Sequence, residues 1–178
     1  MSAPRILGAV LAGGQSTRFG SDKALAELDG VRLIDLAVSA LAQWCDAVVI
    51  VGRTDGPVPV LPDWPAPDMG PLAGLAAALR HARGEGFDQV LTCGVDSPGL
   101  PADLPARLDP APAVLADQPV IGLWPARAAE AAETILLGSG RHSMRALAEA
   151  VGARLVTLAA PPANVNFPQD LAAISKDR

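Results

Sequence analysis

The residues Leu11-Ala12-Gly13-Gly14-Gln15-Ser16-Thr17-Arg18-Phe19-Gly20-Ser21-Asp22-Lys23 concentrate the groups that hold phosphate. Paired glycines let a backbone take positive φ and approach a ligand with no Cβ in the way. Successive N–H groups in such a turn form a concave anion site. Arg18 then adds a planar fork of donors and Lys23 a mobile point charge. This is the combination a triphosphate needs. It is not a Walker loop, because Lys23 does not follow Gly20 directly and has no Ser or Thr behind it. Nor is it the dinucleotide fingerprint, since no G-x-G-x-x-G occurs here. The plain alternative is a tight turn with solvated charges. Of the 14 basic residues only Lys23 and Lys176 are Lys, which sets Lys23 apart.

Other positions carry chemistry less exclusively. Asp96 follows an apolar run and opens an Asp-Ser-Pro-Gly turn. Mg²⁺ takes one or two carboxylates together with substrate phosphate and water, so one well-aimed Asp suffices. An Asp at the first position of a turn is equally ordinary, and local sequence leaves both readings open. Gly70 and Pro71 suit the cap and first residue of a helix, and Gly74 leaves room for a flat base. Asp63 can accept hydrogen bonds from a ribose or base, or sit solvated in its loop. Asn164 and Asn166 bracket a valine, so in extended chain their amides face one way and suit a heterocycle; a helix-opening turn before Pro168 explains them too. Arg141 and Arg145, four apart, reach a second phosphate or form a solvated face. His81 and His142 have no partner at metal or triad spacing.

These residues must be placed by a scaffold. Apolar runs of strand length occur at Ile6–Leu11, Ala47–Val51 and Val90–Cys93, with weaker ones at Ala113–Ala116, Val120–Leu123 and Arg154–Leu158. Helical period appears over Leu33–Trp44, Pro71–Arg83, Leu104–Leu108, Arg127–Leu137, Ser143–Val151 and Pro168–Ser175. This alternation predicts an α/β fold: a single three-layer domain with a mainly parallel sheet and helices on both faces. Ligands of such sheets sit beyond the carboxyl ends of the strands, which is where the glycine loop and Asp96 fall. Thr54–Gly70 is a Pro-rich connection without periodicity, and a loop that long in a compact domain is usually functional or disordered.

With 178 residues the chain suits one domain. Half the residues are hydrophobic and 19% charged, which excludes a disordered or fibrous chain. Aromatics at 3% and no Tyr argue against a stacking platform for single-stranded nucleic acid. A net charge of −5 and no run of basic residues argue against nucleic-acid binding generally. No stretch approaches the roughly 18 apolar residues a membrane span needs. Cys45 and Cys93 read as small core residues of a reduced protein, so the expected location is the cytoplasm.

The pattern L-A-G-G-x-S-x-R-x-G-x-D-K resembles the signature loop of the molybdenum cofactor guanylyltransferases, within the wider nucleotidyltransferase superfamily. Asp63 ahead of Gly70-Pro71-Leu72-Ala73-Gly74, then Cys93-Gly94-Val95-Asp96-Ser97-Pro98, Gln118-Pro119-Val120 and Asn164-Val165-Asn166-Phe167-Pro168 follow in the matching order. The resemblance covers nearly the whole chain and implies a Rossmann-like nucleotidyltransferase fold. Its nucleotide-binding half would span about residues 1–100 and its acceptor-binding half about 101–178. It implies transfer of GMP from GTP to the phosphate of molybdopterin or its molybdenum-loaded form, with release of pyrophosphate. By resemblance Leu11, Ala12, Gly13, Gly14, Lys23, Asp63, Gly70, Pro71, Gly74 and Asp96 bind nucleotide. Arg18, Lys23 and Asp96 serve catalysis, Asp96 holds Mg²⁺, and Asn164 and Asn166 bind the acceptor. Transient contact with molybdoenzymes or cofactor-handling proteins is a further implied partner. Gly14 leans towards guanine, because cytidylyl-transferring relatives tend to carry Ala there. Where the family often has Asn after strand two, this chain has Val51-Gly52-Arg53, so no contact is carried there. The competing readings are a CTP-dependent molybdopterin cytidylyltransferase, a sugar-phosphate nucleotidyltransferase and a non-catalytic nucleotide-binding protein of cofactor insertion.

Overall fold

The computed structural model describes residues 2–14 and 19–176. Nine strands and six α-helices are present among them: β1 (Ile6–Leu11), β2 (Glu27–Leu28), β3 (Val31–Arg32), α1 (Leu33–Ala42), β4 (Ala47–Val51), β5 (Val60–Leu61), α2 (Pro71–Glu85), β6 (Gln89–Gly94), α3 (Leu104–Leu108), β7 (Ala113–Leu115), β8 (Gly122–Pro125), α4 (Ala129–Leu137), α5 (Met144–Ala150), β9 (Arg154–Val156) and α6 (Pro168–Lys176). Seven strands form one sheet in the order β5-β4-β1-β6-β8-β7-β9, while β2 and β3 make a separate hairpin. β1 lies parallel between β4 and β6, with Leu11 level with Val51 and with Gly94. The three carboxyl ends therefore open on one edge.

Side chains alternate across the sheet with period 2, and each face finds its own cover. Leu7, Ala9 and Leu11 of β1 join Val49, Val51 and Val90 beneath α2, α4 and α5. Val10, Ile50, Leu91 and Cys93 face the other way, towards α1 and α3. The expected three-layer α/β arrangement with a mainly parallel sheet is what the chain adopts. Cys93 is fully buried and Cys45 partly so; both are free thiols. Burial pushes the Cys45 thiol up to about 12, which keeps it protonated and unreactive.

β1 and β4 fall on the predicted boundaries, and the helices agree to within a few residues. Several details differ, among them the unexpected β2–β3 hairpin and a β9 that ends at Val156 rather than Leu158. β8 runs antiparallel to both neighbours, β6 and β7. It also starts at Gly122 rather than Val120, because Gln118–Ile121 is a turn closed by Ile121 N donating to Gln118 O at 2.9 Å. The Thr54–Gly70 connection contains β5, where Gly52 N reaches Leu61 O. α4 is preceded by a 3-10 turn at Ala126–Ala128 instead of starting at Arg127. No helix among the described residues is long and apolar enough to cross a membrane.

Candidate active site

A cavity of about 480 Å³ opens at the carboxyl ends of β1, β4 and β6. Leu11, Ala12, Gly13 and Gly14 form one wall, where the chain leaves β1. Asp63 from the connection ahead of α2, Gly70, Pro71 and Gly74 at the start of α2, and Lys23 and Asp96 line the same cavity. Every nucleotide position expected from the resemblance thus lines a single space. Arg18 lies outside the described residues.

Local chemistry explains each wall. β1 ends by Ala12 N donating to Val51 O at 3.0 Å, which brings Gly13 against Gly52. Gly52 has φ +84°, and a Cβ there would stand 2.6 Å from Gly13 Cα. No other residue fits, so Gly52 is a packing requirement of the turn against Gly13. Gly70 is the N-cap and Pro71 the first residue of α2, as expected. At Gly74 a Cβ would meet Leu11 Cδ2 at 3.2 Å and Asp63 Oδ1 at 3.5 Å. The missing side chain therefore admits protein atoms as well as lining the cavity. A Cβ on Gly14 would meet nothing within 4 Å, and its φ of +106° is what favours glycine there.

The charges in the cavity are unbalanced. Among the described lining residues Lys23 is the single cation beside four carboxylates, Asp22, Asp63, Asp68 and Asp96. Lys23 Nζ lies 4.0 Å from Asp96 Oδ2, with side-chain exposures of 18% and 37%. Lys23 begins a 3-10 turn, Lys23–Leu25, capped by Asp22, whose Oδ1 accepts from Ala24 N at 3.2 Å. Arg53 braces that cap, its Nη1 donating to both oxygens of Asp22 at 2.9 and 2.8 Å. Asp63 is half-buried, and desolvation, followed by the nearby charge of Asp68, raises its carboxyl above the ordinary range.

Asp96 sits just past β6 in the turn that the sequence suggested. A Cβ on Gly94 would lie 2.5 Å from Asp96 Oδ1, so the glycine makes the hollow into which this carboxylate folds. No group of three or more His, Cys, Asp or Glu that could hold a metal exists among the described residues. A protein-only metal cage is therefore absent there, and a partly exposed carboxylate on the cavity wall, Asp96, is the kind of single ligand that suits Mg²⁺ shared with substrate.

Asn164 and Asn166 do not line the cavity. They border it: Val165 is fully buried between them, and Val165 N donates to Asp96 O at 2.7 Å. The alternation expected of extended chain holds, with Asn164 exposed and Asn166 partly so. Asp170 accepts from Asn166 N and Phe167 N, each at 2.8 Å, so the helix-opening reading holds as well. Arg145 donates to Ala116 O at 3.3 Å and Arg141 is exposed; neither lines the cavity. Sequence reasoning missed Asp22, Asp68, Arg53 and Val120. Only Asp22 had a local signal, an Asp directly ahead of a helical turn.

A family model described as MobA-like NTP transferase domain matches residues 8–157. The chain belongs to that family. It is 36% identical to a molybdenum cofactor guanylyltransferase of Acidiphilium cryptum, over 99% of this chain and 97% of that protein. It is 38% identical to one of Rhodobacter capsulatus, over 94% of each. The fold is similar to that of the molybdopterin-guanine dinucleotide biosynthesis protein A of Archaeoglobus fulgidus, with a TM-score of 0.74 at 20% identity, covering 96% and 97% of the two chains. Within this MobA-like domain the cavity, Lys23 and Asp96 all lie inside the matched span, whereas Asn164 and Asn166 lie just beyond it.

Proposed function

We propose that this protein transfers GMP from GTP to the terminal phosphate of molybdopterin or its molybdenum-loaded form and releases pyrophosphate. The observation that carries the reading is the convergence of the glycine wall, Lys23 and Asp96 on one cavity, with Val165, between the two asparagines, donating its backbone N–H to Asp96 O. Its relatives of 36% and 38% identity bear the guanylyltransferase name.

An acceptor phosphate oxygen forms a bond to the α-phosphorus while the bond to the β-phosphate bridging oxygen breaks. The acceptor is already ionised near pH 7, so no side chain has to remove a proton. Positioning and charge neutralisation account for most of the barrier lowering in such reactions. Ala12, Gly13 and Gly14 present backbone to the nucleotide, and the small residues at the start of α2 leave a face for the base. Lys23, held by the turn that Asp22 caps, neutralises the departing pyrophosphate, with Arg18 as a second cation. Asp63 accepts hydrogen bonds from ribose or base. Asn164 and Asn166 hold the pterin side of the acceptor.

Asp96 is the residue that would hold Mg²⁺, which when bound supplies charge neutralisation to the phosphate oxygens. A polyphosphate entering a space lined by four carboxylates and one described cation needs such a counter-charge. A cytoplasmic place of action fits this chemistry, and cofactor-handling proteins or molybdoenzymes are the expected recipients.

The test is titration with GTP, CTP and ATP in Mg²⁺, followed by transfer to molybdopterin. GTP should bind tightest and yield pyrophosphate and the guanine dinucleotide. Tighter binding and transfer with CTP would move the protein to the cytidylyl branch. Binding without transfer would leave it a nucleotide-binding protein.

A further inference from the structure

The Asp96 turn and the Asn164–Asn166 segment come from distant parts of the chain, yet two ties hold them together. The first is the Val165 N to Asp96 O bond at 2.7 Å. The second runs through Gln118, a residue that the proposed mechanism leaves without a task. Ser97 Oγ donates to Gln118 Oε1 at 2.9 Å, and Gln118 Nε2 donates to Pro162 O at 2.7 Å. Both ends of one amide are engaged. They close a ring from Asp96 and Ser97 through Gln118 to Pro162, then along the chain to Val165 and back to Asp96.

The ring stands on a rigid base. Gln118 opens the β7–β8 turn closed by Ile121 N to Gln118 O at 2.9 Å. Beneath it Thr92, fully buried on β6, donates to Val120 O at 2.7 Å and accepts from Trp124 Nε1 at 3.2 Å. Ser97 is only 7% exposed, so water is not at hand to satisfy its hydroxyl. Its single proton goes to Gln118, because Asp96 Oδ1 is farther away at 3.5 Å. The Asp96 carboxylate is thereby left to face the cavity.

We infer that Gln118 is a positioning residue for the transfer reaction. Its amide clamps the Pro162–Asn166 segment to the Asp96 turn, so that the acceptor held by the Asn pair is presented beside the α-phosphate. This rests on the acceptor role proposed above for Asn164 and Asn166. The chemistry calls for an amide: it accepts from Ser97 and donates to Pro162 at the same moment. An ionised carboxylate has only acceptors and would face the Pro162 carbonyl with a negative charge. A thioether of similar length has no donor at all.

The experiment compares Gln118→Met, Gln118→Glu and Ser97→Ala with the wild-type protein. Three quantities are read: backbone amide exchange across residues 162–167, GTP affinity by calorimetry, and kcat/KM for molybdopterin at saturating GTP and Mg²⁺. Both Gln118 variants are expected to speed exchange of the Val165 amide at least tenfold and to lower kcat/KM for the acceptor at least tenfold. GTP affinity should stay within twofold. Ser97→Ala, which leaves the Gln118–Pro162 bond in place, should shift exchange and acceptor kinetics in the same direction by less. Exchange and acceptor kinetics at wild-type level would overturn the inference. A fall in GTP affinity that matches the acceptor loss would overturn it equally, since that marks a general loosening. If Gln118→Met fails to fold, Gln118→Glu and Ser97→Ala carry the decision. A wild-type protein that transfers no GMP to molybdopterin refutes the functional reading instead, and amide exchange still judges the clamp.

Discussion

Asp96→Asn separates a metal-holding carboxylate from a turn-forming one, and the structure sets the size of each effect. The backbone bond from Val165 N to Asp96 O does not involve the side chain and survives the substitution. The hollow made by Gly94 accepts an amide of the same shape. What is lost in the free protein is the attraction of Lys23 at 4.0 Å. Two unit charges at that distance attract by about 1 kcal/mol in water and about 4 kcal/mol at an effective dielectric constant of 20. With exposures of 18% and 37%, the pair belongs at the lower end, as partly solvated ion pairs do. Stability should therefore change by about 1 kcal/mol or less, which is roughly 2–4 °C in Tm for a domain of this size. The catalytic effect should be larger. Removing the charge that a hard dication requires is expected to lower transfer by at least two orders of magnitude, about 2.7 kcal/mol. Thermal melts, GTP titration with and without Mg²⁺, and pyrophosphate release measure the two effects on one preparation. Raised Mg²⁺, or Mn²⁺ in its place, should recover part of the loss. An Asp96→Asn protein of full activity would refute the reasoning, because it would show that the residue only makes a turn.

Three further outcomes are expected. Lys23→Ala should weaken GTP binding by about 1.5–3 kcal/mol while barely changing guanosine binding; equal weakening of both would make Lys23 a support for its loop, and Lys23→Arg should be impaired as well, because a planar fork does not replace a compact charge. Asn164→Ala and Asn166→Ala should leave GTP affinity nearly unchanged and reduce transfer; loss of GTP binding in a folded variant would detach this segment from the acceptor. Burial, then the charge of Asp68, raises the Asp63 carboxyl above its ordinary range. Such a group stabilises the fold fully below its unfolded value, about 3.9, and that contribution is lost as pH rises through the folded value. Asp63→Asn should therefore melt higher than wild type at pH 7, with the gap closing as pH falls towards 4, and bind GTP more weakly. A Tm difference independent of pH would contradict the assignment of strain to this carboxyl.

Chain-local patterns decided more of this protein than its size would suggest. Ile6–Leu11 and Ala47–Val51 are continuous apolar runs because parallel central strands are buried on both faces, so their limits coincide with the strands. Gly70 and Pro71 announce α2 through their own backbone preferences. Paired glycines and a rare lysine made the Gly13–Lys23 stretch stand out locally, whereas Asp96, ordinary at the first position of a turn, was singled out by resemblance, and the cavity brings both together. Asn164-Val165-Asn166 is legible because alternation in extended chain needs no partner to express it.

Tertiary structure decided the rest. The two-residue strands β2, β3 and β5 are shorter than any period that could reveal them. The reversed direction of β8 depends on the turn at Gln118–Ile121 and on a buried threonine that reaches the turn from a neighbouring strand. Gly52 follows from the close approach of Gly13, and Arg53 from a carboxylate 31 positions away in the chain. The Gln118 clamp joins segments 21 and 44 positions distant through single hydrogen bonds. Each such bond depends on where two strand ends meet. No pattern in one stretch of chain encodes that meeting, because packing of the whole sheet sets it.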